Sequence, residues 1–124
     1  MVVSSSRYKS IKSHKMKQFV AIYYSPAADM EAMANITPEQ RDQIMAAWMA
    51  WKEKAGDAVV NFGAPLMPGQ NSTNGNDWTA SNNEVSGYSV LQAESMEALQ
   101  ALCVDHPHLQ SPGATLGLHE VMPM

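Results

Sequence analysis

The sequence is poor in cysteine, in charged residues and in long apolar runs, and each shortage excludes a class of protein. A single cysteine, Cys103, leaves no partner for an internal disulfide and no pair for a zinc ribbon. The longest apolar run, Ile44 to Trp51, has eight residues, far fewer than the roughly 20 that a membrane span needs. Charged residues make up 16% of the chain, which argues against a coiled coil, and the 45% that are apolar argue against disorder. We therefore expect the 124 residues to form one small soluble domain.

Positive charge is concentrated in the first 15 residues, MVVSSSRYKSIKSHK. This segment holds four basic side chains and no acidic one, whereas residues 16–124 hold four basic and twelve acidic ones, a formal charge of −8. The segment is Ser-rich and has no apolar stretch long enough for a signal peptide, which favours a disordered extension of a cytoplasmic protein over a nucleic-acid arm or a transit sequence. The acidic remainder should repel phosphate backbones, so we expect no nucleic-acid partner. The short apolar runs predict no membrane partner.

Periodicity and capping residues predict the element order β-α-β-β-α-β. The segment Thr37-Pro38-Glu39-Gln40 is typical of a helix start with a capping box, and Gly56 is typical of that helix's end. Ser95 is expected to cap a second helix that stops near His106-Pro107, because a residue before proline avoids helical angles. The predicted strands are Lys17–Ser25, Asp57–Phe62, Glu84–Ala93 and Thr115–Val121, with residues 26–36 as a loop that has room for one helical turn and residues 66–83 as an irregular hairpin.

Right-handed crossovers in this order predict an α+β fold, a ferredoxin-like antiparallel sheet with two helices on one face. Such a sheet leaves its second face without a helix. An apolar face that one chain does not cover indicates a partner, and we expect a homodimer in which two sheets stack. Apolar side chains occupy both sets of alternating positions in the first strand, Phe19, Ala21 and Tyr23 on one face and Val20, Ile22 and Tyr24 on the other.

Several short pieces of the chain have the order and spacing of a known family. They are Met16-Lys17-Gln18-Phe19, Thr37-Pro38-Glu39, Ala55-Gly56-Asp57, Gly63-Ala64-Pro65-Leu66, Gly87-Tyr88, Ser95-Met96-Glu97-Ala98, and His106-Pro107-His108-Leu109 with Pro112-Gly113. On these pieces, which span residues 16–124, the chain resembles the YCII-related family. The resemblance implies a ferredoxin-like domain that dimerises into an α+β barrel, and most members of the family have no established reaction.

One branch of that family has a proposed acid–base dyad, formed by a histidine near the start of the first helix and an aspartate before the junction proline. Here His106 takes the position before Pro107, and the first helical turn offers Glu39–Arg41 but no histidine. The dyad is therefore not reproduced. The Asp-Gly-Pro-Phe signature of another branch is also absent, and the polar region Asn71–Asn83 stands in its place.

The segment Asp105-His106-Pro107-His108 contains the strongest catalytic candidates, which are His106 and His108 with Asp105 beside them. Two imidazoles at a break in the chain can titrate near neutral pH and serve as acid or base. The C-terminus of the preceding helix should favour the protonated form of His106. The alternative is that His106 caps the helix and His108 is a surface loop residue.

Four further residues are candidates for ligand binding: Asn61, Ser89, Tyr23 and His119. Asn61 and Ser89 are short polar residues within strands, so they would orient a ligand if they face the dimer side of the sheet and would be solvated otherwise. His119, together with His106 and His108, supplies enough imidazoles for zinc. No acidic residue is spaced to complete a recognised motif, so we expect no metal site.

Trp48 and Trp51 are compatible with an aromatic wall for a ligand, but a core contact of helix on sheet is the favoured interpretation. Cys103 is expected to be a buried, inert thiol, because a helix C-terminus disfavours the thiolate. We expect no cofactor, because no phosphate-cradling motif is formed by Gly63, Gly69, Gly75 and Gly113.

Two functions remain open from the sequence. The first is a YCII-like domain with no assigned reaction that binds a small molecule as a homodimer. The alternative is a cofactor-independent lyase, isomerase or hydrolase that uses His106 as general acid or base in the dimer cleft. The missing histidine in the first helix favours the binding protein.

Overall fold

Four strands form one antiparallel sheet in the computed structural model, which describes residues 16–123. The predicted extension, residues 1–15, lies outside the described residues. In chain order the elements are β1 (Lys17–Tyr24), α1 (Ala27–Ala34), α2 (Pro38–Ala55), β2 (Val59–Pro65), β3 (Gln70–Asn71), β4 (Thr79–Ala80), β5 (Val85–Ala93), α3 (Met96–Leu102) and β6 (Thr115–Glu120). The strand order in the sheet is β2-β5-β1-β6, and β3 pairs with β4 in a separate hairpin. The predicted α+β class is confirmed.

Strand β1 lies in the interior of the sheet, paired antiparallel with β5 on one side and β6 on the other. Its alternate residues Phe19, Ala21 and Tyr23 are buried, and they form the centre of the core. Ser89 and Leu91 of β5 lie directly opposite two of these residues and are fully buried. This face of the sheet therefore carries the core, and the side chains on it point toward the helices.

Helix α2 begins at the predicted capping box, which is confirmed. The Thr37 hydroxyl accepts a hydrogen bond from the Gln40 amide at 3.1 Å, and the Gln40 side chain accepts one from the Thr37 amide at 2.9 Å. At the other end Gly56 has a φ of +56°, which suits a residue without a side chain. Trp51 is buried, as the favoured interpretation predicts, and its indole N–H donates to the Leu102 carbonyl at 3.3 Å. That hydrogen bond joins α2 to the end of α3.

Three elements differ from the predicted ones. Helix α3 ends at Leu102 rather than near His106-Pro107. Residues 26–36 contain the two-turn helix α1, which the sequence hides because it has no apolar stripe and its N-cap, Pro26, offers no side-chain hydrogen bond. Strand β2 starts at Val59 rather than Asp57, because Gly56–Ala58 forms a 3-10 turn. The strand then continues through Gly63 to Pro65, with an irregular register against β5.

The second face of the sheet, which we call the open face, carries Val20, Ile22 and Tyr24 of β1. Residues directly opposite one another in paired strands point to the same side, so Val90 of β5 and His119 of β6, both opposite Val20, belong to this face. The β1 and β5 members are half-buried rather than buried.

Within residues 16–123, no helix is long and apolar enough to cross a membrane.

We expect Gly63→Ala to destabilise the domain far more than Gly75→Ala. Both glycines have a positive φ, +82° and +80°, so either alanine adds strain of about 1 kcal/mol. A Cβ at position 63 would also overlap the Tyr88 carbonyl oxygen, whereas one at position 75 meets nothing within 4 Å. Urea unfolding should give a loss of about 3 kcal/mol or more for Gly63→Ala. Equal losses for the two variants would contradict the close approach of β2 to β5.

Candidate functional site

The segment between α3 and β6 forms a 3-10 turn, Pro107–Gln110, and His106 is its N-cap. The Nδ1 atom of His106 accepts a hydrogen bond from the backbone amide of His108 at 3.1 Å. His106 is 1% exposed and His108 is 9% exposed. His106 thus does cap an element, but the element is the turn that follows it rather than the helix before it.

A chain of hydrogen bonds runs from this turn into the core, and each proton in it has one consistent position. Since His106 accepts at Nδ1, its neutral ring carries the proton on Nε2, which lies 3.3 Å from the Tyr23 hydroxyl and donates to it. The Ser89 hydroxyl donates to the Phe62 carbonyl at 2.6 Å, so its oxygen accepts from Tyr23 at 2.7 Å. We call this series, from the His108 amide through His106, Tyr23 and Ser89 to the Phe62 carbonyl, the histidine–tyrosine–serine chain. It ends on a backbone carbonyl, so it holds groups in place and does not carry a proton to solvent.

His106 is surrounded by aromatic rings. Ring centroids lie 4.3 Å away for Trp51, 4.8 Å for Trp48 and 5.3 Å for Tyr23. Burial is the largest of the effects that lower the pKa of His106 to about 4; the neighbouring His108 also lowers it, and Asp105 opposes the shift by a smaller amount. The sequence predicts that a helix C-terminus favours protonated His106, but α3 ends four residues earlier, and a helix dipole falls off within the last turn.

His108 fastens the turn to the sheet. Its Nε2 lies 3.0 Å from the Tyr24 carbonyl oxygen and 2.9 Å from the Thr115 carbonyl oxygen. Both partners only accept, so Nε2 carries the proton and Nδ1 carries the lone pair. Within residues 16–123, Nδ1 makes no hydrogen bond, and the only buried side-chain polar atom without a partner is Oδ2 of Asp29. The Nδ1 atom of His108 is therefore not sealed in the core.

A cleft of about 340 Å³ lies between α2 and the Pro107–Gln110 turn, with one residue of α1 at its side. Its volume falls within the range of small-molecule sites. No lining side chain carries a formal charge with histidine neutral, and Trp48 and Ile44 supply an apolar wall. The lining residues are Met33, Gln43, Ile44, Ala47, Trp48, Pro107, His108, Gln110 and Ser111.

The structure brings together four of the seven predicted site residues: Tyr23, Ser89, His106 and His108. Asp105 is exposed and binds Lys54 at 2.6 Å, an ion pair whose hydrogen bond holds the carboxyl pKa below its usual value. Asn61 and His119 are exposed residues of the open face. Ser89 lies on the core face, away from the side where the sequence analysis considered a ligand.

Helix α2 contributes cleft residues that are absent from the predicted site. From the sequence, Trp48 is interpreted mainly as a core contact, and Gln43, Ile44 and Ala47 carry no signal of a ligand site. The pair of tryptophans is the one feature of the sequence that points to this cleft. Trp51 faces the core, whereas Trp48 contacts His106 and also lines the cleft. Trp48 thus combines the two roles that the sequence presents as alternatives.

Metal and thiol chemistry find no support at this site. Among the residues that the structure describes, no group of three or more His, Cys, Asp or Glu side chains is placed to hold a metal ion. His119 lies on the opposite face of the sheet from the buried His106. The prediction that Cys103 is buried is confirmed, and burial, with a smaller effect of Asp105, raises its thiol pKa to about 11.

Comparison with known proteins finds no matching family model and no curated protein with significant similarity to the chain.

The buried neutral His106 should make the domain less stable in acid. Its folded pKa of about 4 lies below the unfolded value of 6.5, so the unfolded chain binds more protons between these two pH values. The stability that neutral His106 provides is complete above pH 6.5 and is lost as the pH falls toward 4, a loss on the order of 3 kcal/mol. Urea unfolding at several pH values should show this slope.

The matched variants are His106→Asn, which keeps an acceptor for the His108 amide, and His119→Asn on the exposed open face. We expect the first variant to lose most of the slope between pH 6.5 and 4 and the second to retain it. If wild type and His106→Asn lose stability in parallel, His106 is not the group responsible.

Proposed function

We propose that this protein binds a small molecule in the cleft between α2 and the Pro107–Gln110 turn. The observation that carries the proposal is an uncharged cleft of about 340 Å³ with an aromatic wall, lined by one imidazole whose neutral tautomer is set by two backbone carbonyls. Sites of this kind are concave and mostly apolar, with a few polar groups in set positions.

We propose further that the domain is ferredoxin-like and related to the YCII family. The strand order β2-β5-β1-β6 supports this arrangement, because the two central strands are the first and third of the four main strands in the chain. A helix precedes β2 and another precedes β6, as two crossover connections require. The pieces of sequence similar to the family lie within these elements and at their junctions.

A homodimer through the open face is the third part of the proposal. Val20, Ile22, Tyr24 and Val90 form an apolar surface that is only half-buried within one chain. A second copy that placed its own open face there would remove this surface from water. The cleft lies on the helix side of the sheet, so such a dimer leaves it accessible.

Acid–base catalysis without a cofactor is the second candidate function, and two adjacent imidazoles favour it. His106, however, uses both ring nitrogens in the histidine–tyrosine–serine chain, and its pKa of about 4 leaves it neutral at pH 7. General acid catalysis by His106 would require that chain to open first. Ligand turnover that is abolished in His106→Asn while ligand binding persists would establish catalysis as the function.

Filling the cleft should abolish ligand binding without disturbing the fold. Ala47 is an exposed residue of α2 that lines the cleft, and Ala46 is an exposed neighbour on the same helix that does not. We expect Ala47→Leu to weaken the binding of aromatic fragments, with 6-hydroxyquinoline among them, by about 10-fold or more, because each added carbon occupies ligand space. Ala46→Leu should bind like wild type in ligand-observed NMR. No binding in wild type, or binding equally strong in Ala47→Leu, would contradict the site.

Charge on the open face should separate the dimer. We expect sedimentation to give wild type twice the mass of one chain and Val90→Glu the mass of a single chain, because an unpaired carboxylate at the centre of an apolar interface is costly. Val104→Glu, at a 79% exposed residue that lies outside the sheet in the segment after α3, is the control and should leave the dimer intact. A monomeric wild type at 100 µM would contradict the interface.

A further inference from the structure

We propose that the cleft selects ligands that present an O–H or N–H donor to Nδ1 of His108 and carry no net charge. The chemical class is a small planar molecule with a hydroxyl or amine group, such as a phenol, an enol or an aromatic amine. This inference rests on the proposed binding function and adds the chemistry of the ligand.

The first step is the fixed tautomer of His108. Its Nε2 faces the carbonyl oxygens of Tyr24 and Thr115 at 3.0 and 2.9 Å. Moving the proton to Nδ1 would set a lone pair against two acceptors and forfeit both hydrogen bonds. A neutral His108 therefore offers the cleft an acceptor and never a donor.

The second step is the rigid placement of that acceptor. The backbone amide of His108 donates to His106, whose other nitrogen is bound to Tyr23, and Pro107 restricts the chain between the two histidines. The carbonyls that hold the ring belong to β1 and β6, which pair with each other. The backbone amide and the ring of His108 are thus both held in place by hydrogen bonds. A ligand therefore does not have to immobilise this side chain on binding.

The third step is the absence of charge around the cleft. Ile44, Ala47 and Trp48 contribute apolar side chains to its lining, and the glutamines and Ser111 contribute amide and hydroxyl groups. No lysine or arginine is among the lining residues. The basic side chain beside the turn, Lys54, already binds Asp105. A ligand carboxylate would lose water without gaining a cationic partner, which disfavours anions.

The titratable groups that face His108 do not change this argument at neutral pH. His106 is neutral because its pKa is lowered to about 4, and burial, opposed by the hydrogen bond to Ser89, raises the pKa of Tyr23 above its usual value. The Tyr23 ring lies 5.0 Å from the His108 ring, centroid to centroid. Neither neighbour supplies a charge to the cleft at pH 7.5.

The experiment compares three probes that share one ring system and one position of substitution, on the wild-type protein at pH 7.5. They are 6-hydroxyquinoline, 6-methoxyquinoline and quinoline-6-carboxylate, whose dissociation constants are measured by NMR titration. We expect the hydroxyl probe to bind about 3- to 10-fold more tightly than the ether, which is the usual value of one hydrogen bond. The carboxylate should bind most weakly.

A matched variant tests the assigned atom. In His108→Gln the preference for the hydroxyl probe over the ether should disappear, and Ala46→Leu should retain it. Equal affinity of ether and hydroxyl probes in wild type, or tighter binding of the carboxylate, would overturn the donor requirement while leaving the cleft as a binding site. Failure of every probe to respond to Ala47→Leu would overturn the proposed function instead. The wild-type comparison decides the inference even if His108→Gln does not fold.

Discussion

The hydrogen bond from the His108 amide to Nδ1 of His106 determines the arrangement of the rest of the site. It places the His106 proton on Nε2, and the directions of the hydrogen bonds through Tyr23, Ser89 and the Phe62 carbonyl follow. The same bond closes the turn that carries His108 to the edge of the cleft. Three strands and the turn thereby share one continuous set of satisfied polar groups, and the His108 side chain adds β6 through the Thr115 carbonyl. A buried polar network needs such satisfaction in order to stabilise a core.

The two histidines have the same side chain and lie two residues apart, yet the structure gives them different chemistry. His106 uses both ring nitrogens inside the core and is surrounded by Trp48, Trp51 and Tyr23. His108 uses one nitrogen to hold the turn on the sheet and keeps the other outside the hydrogen-bonded network of the described residues. Burial disfavours charge on the first, and backbone carbonyls fix the tautomer of the second. The residue suited to contact a ligand is therefore His108.

Local signals in the sequence predict most of the fold and little of the site. The capping box at Thr37 and the apolar alternation of β1 are set by neighbouring residues, so their elements are confirmed. The site depends on pairs such as Tyr23 with Ser89 and Tyr23 with His106, which are 66 and 83 residues apart. Alternation with a period of two assigns these side chains to a face but cannot say which face the helices cover, since both faces of β1 are apolar.

Strand β1 connects the two surfaces for which we propose functions. Tyr23 directs its side chain into the core and binds His106, while the next residue, Tyr24, directs its ring across Gly117 on the open face. The carbonyl of that same Tyr24 holds the ring of His108. A second copy seated on the open face would contact the Tyr24 ring and so restrain the backbone that sets the position of His108. The proposed dimer and the geometry of the cleft would therefore both depend on Tyr24, although the two surfaces lie on opposite sides of the sheet.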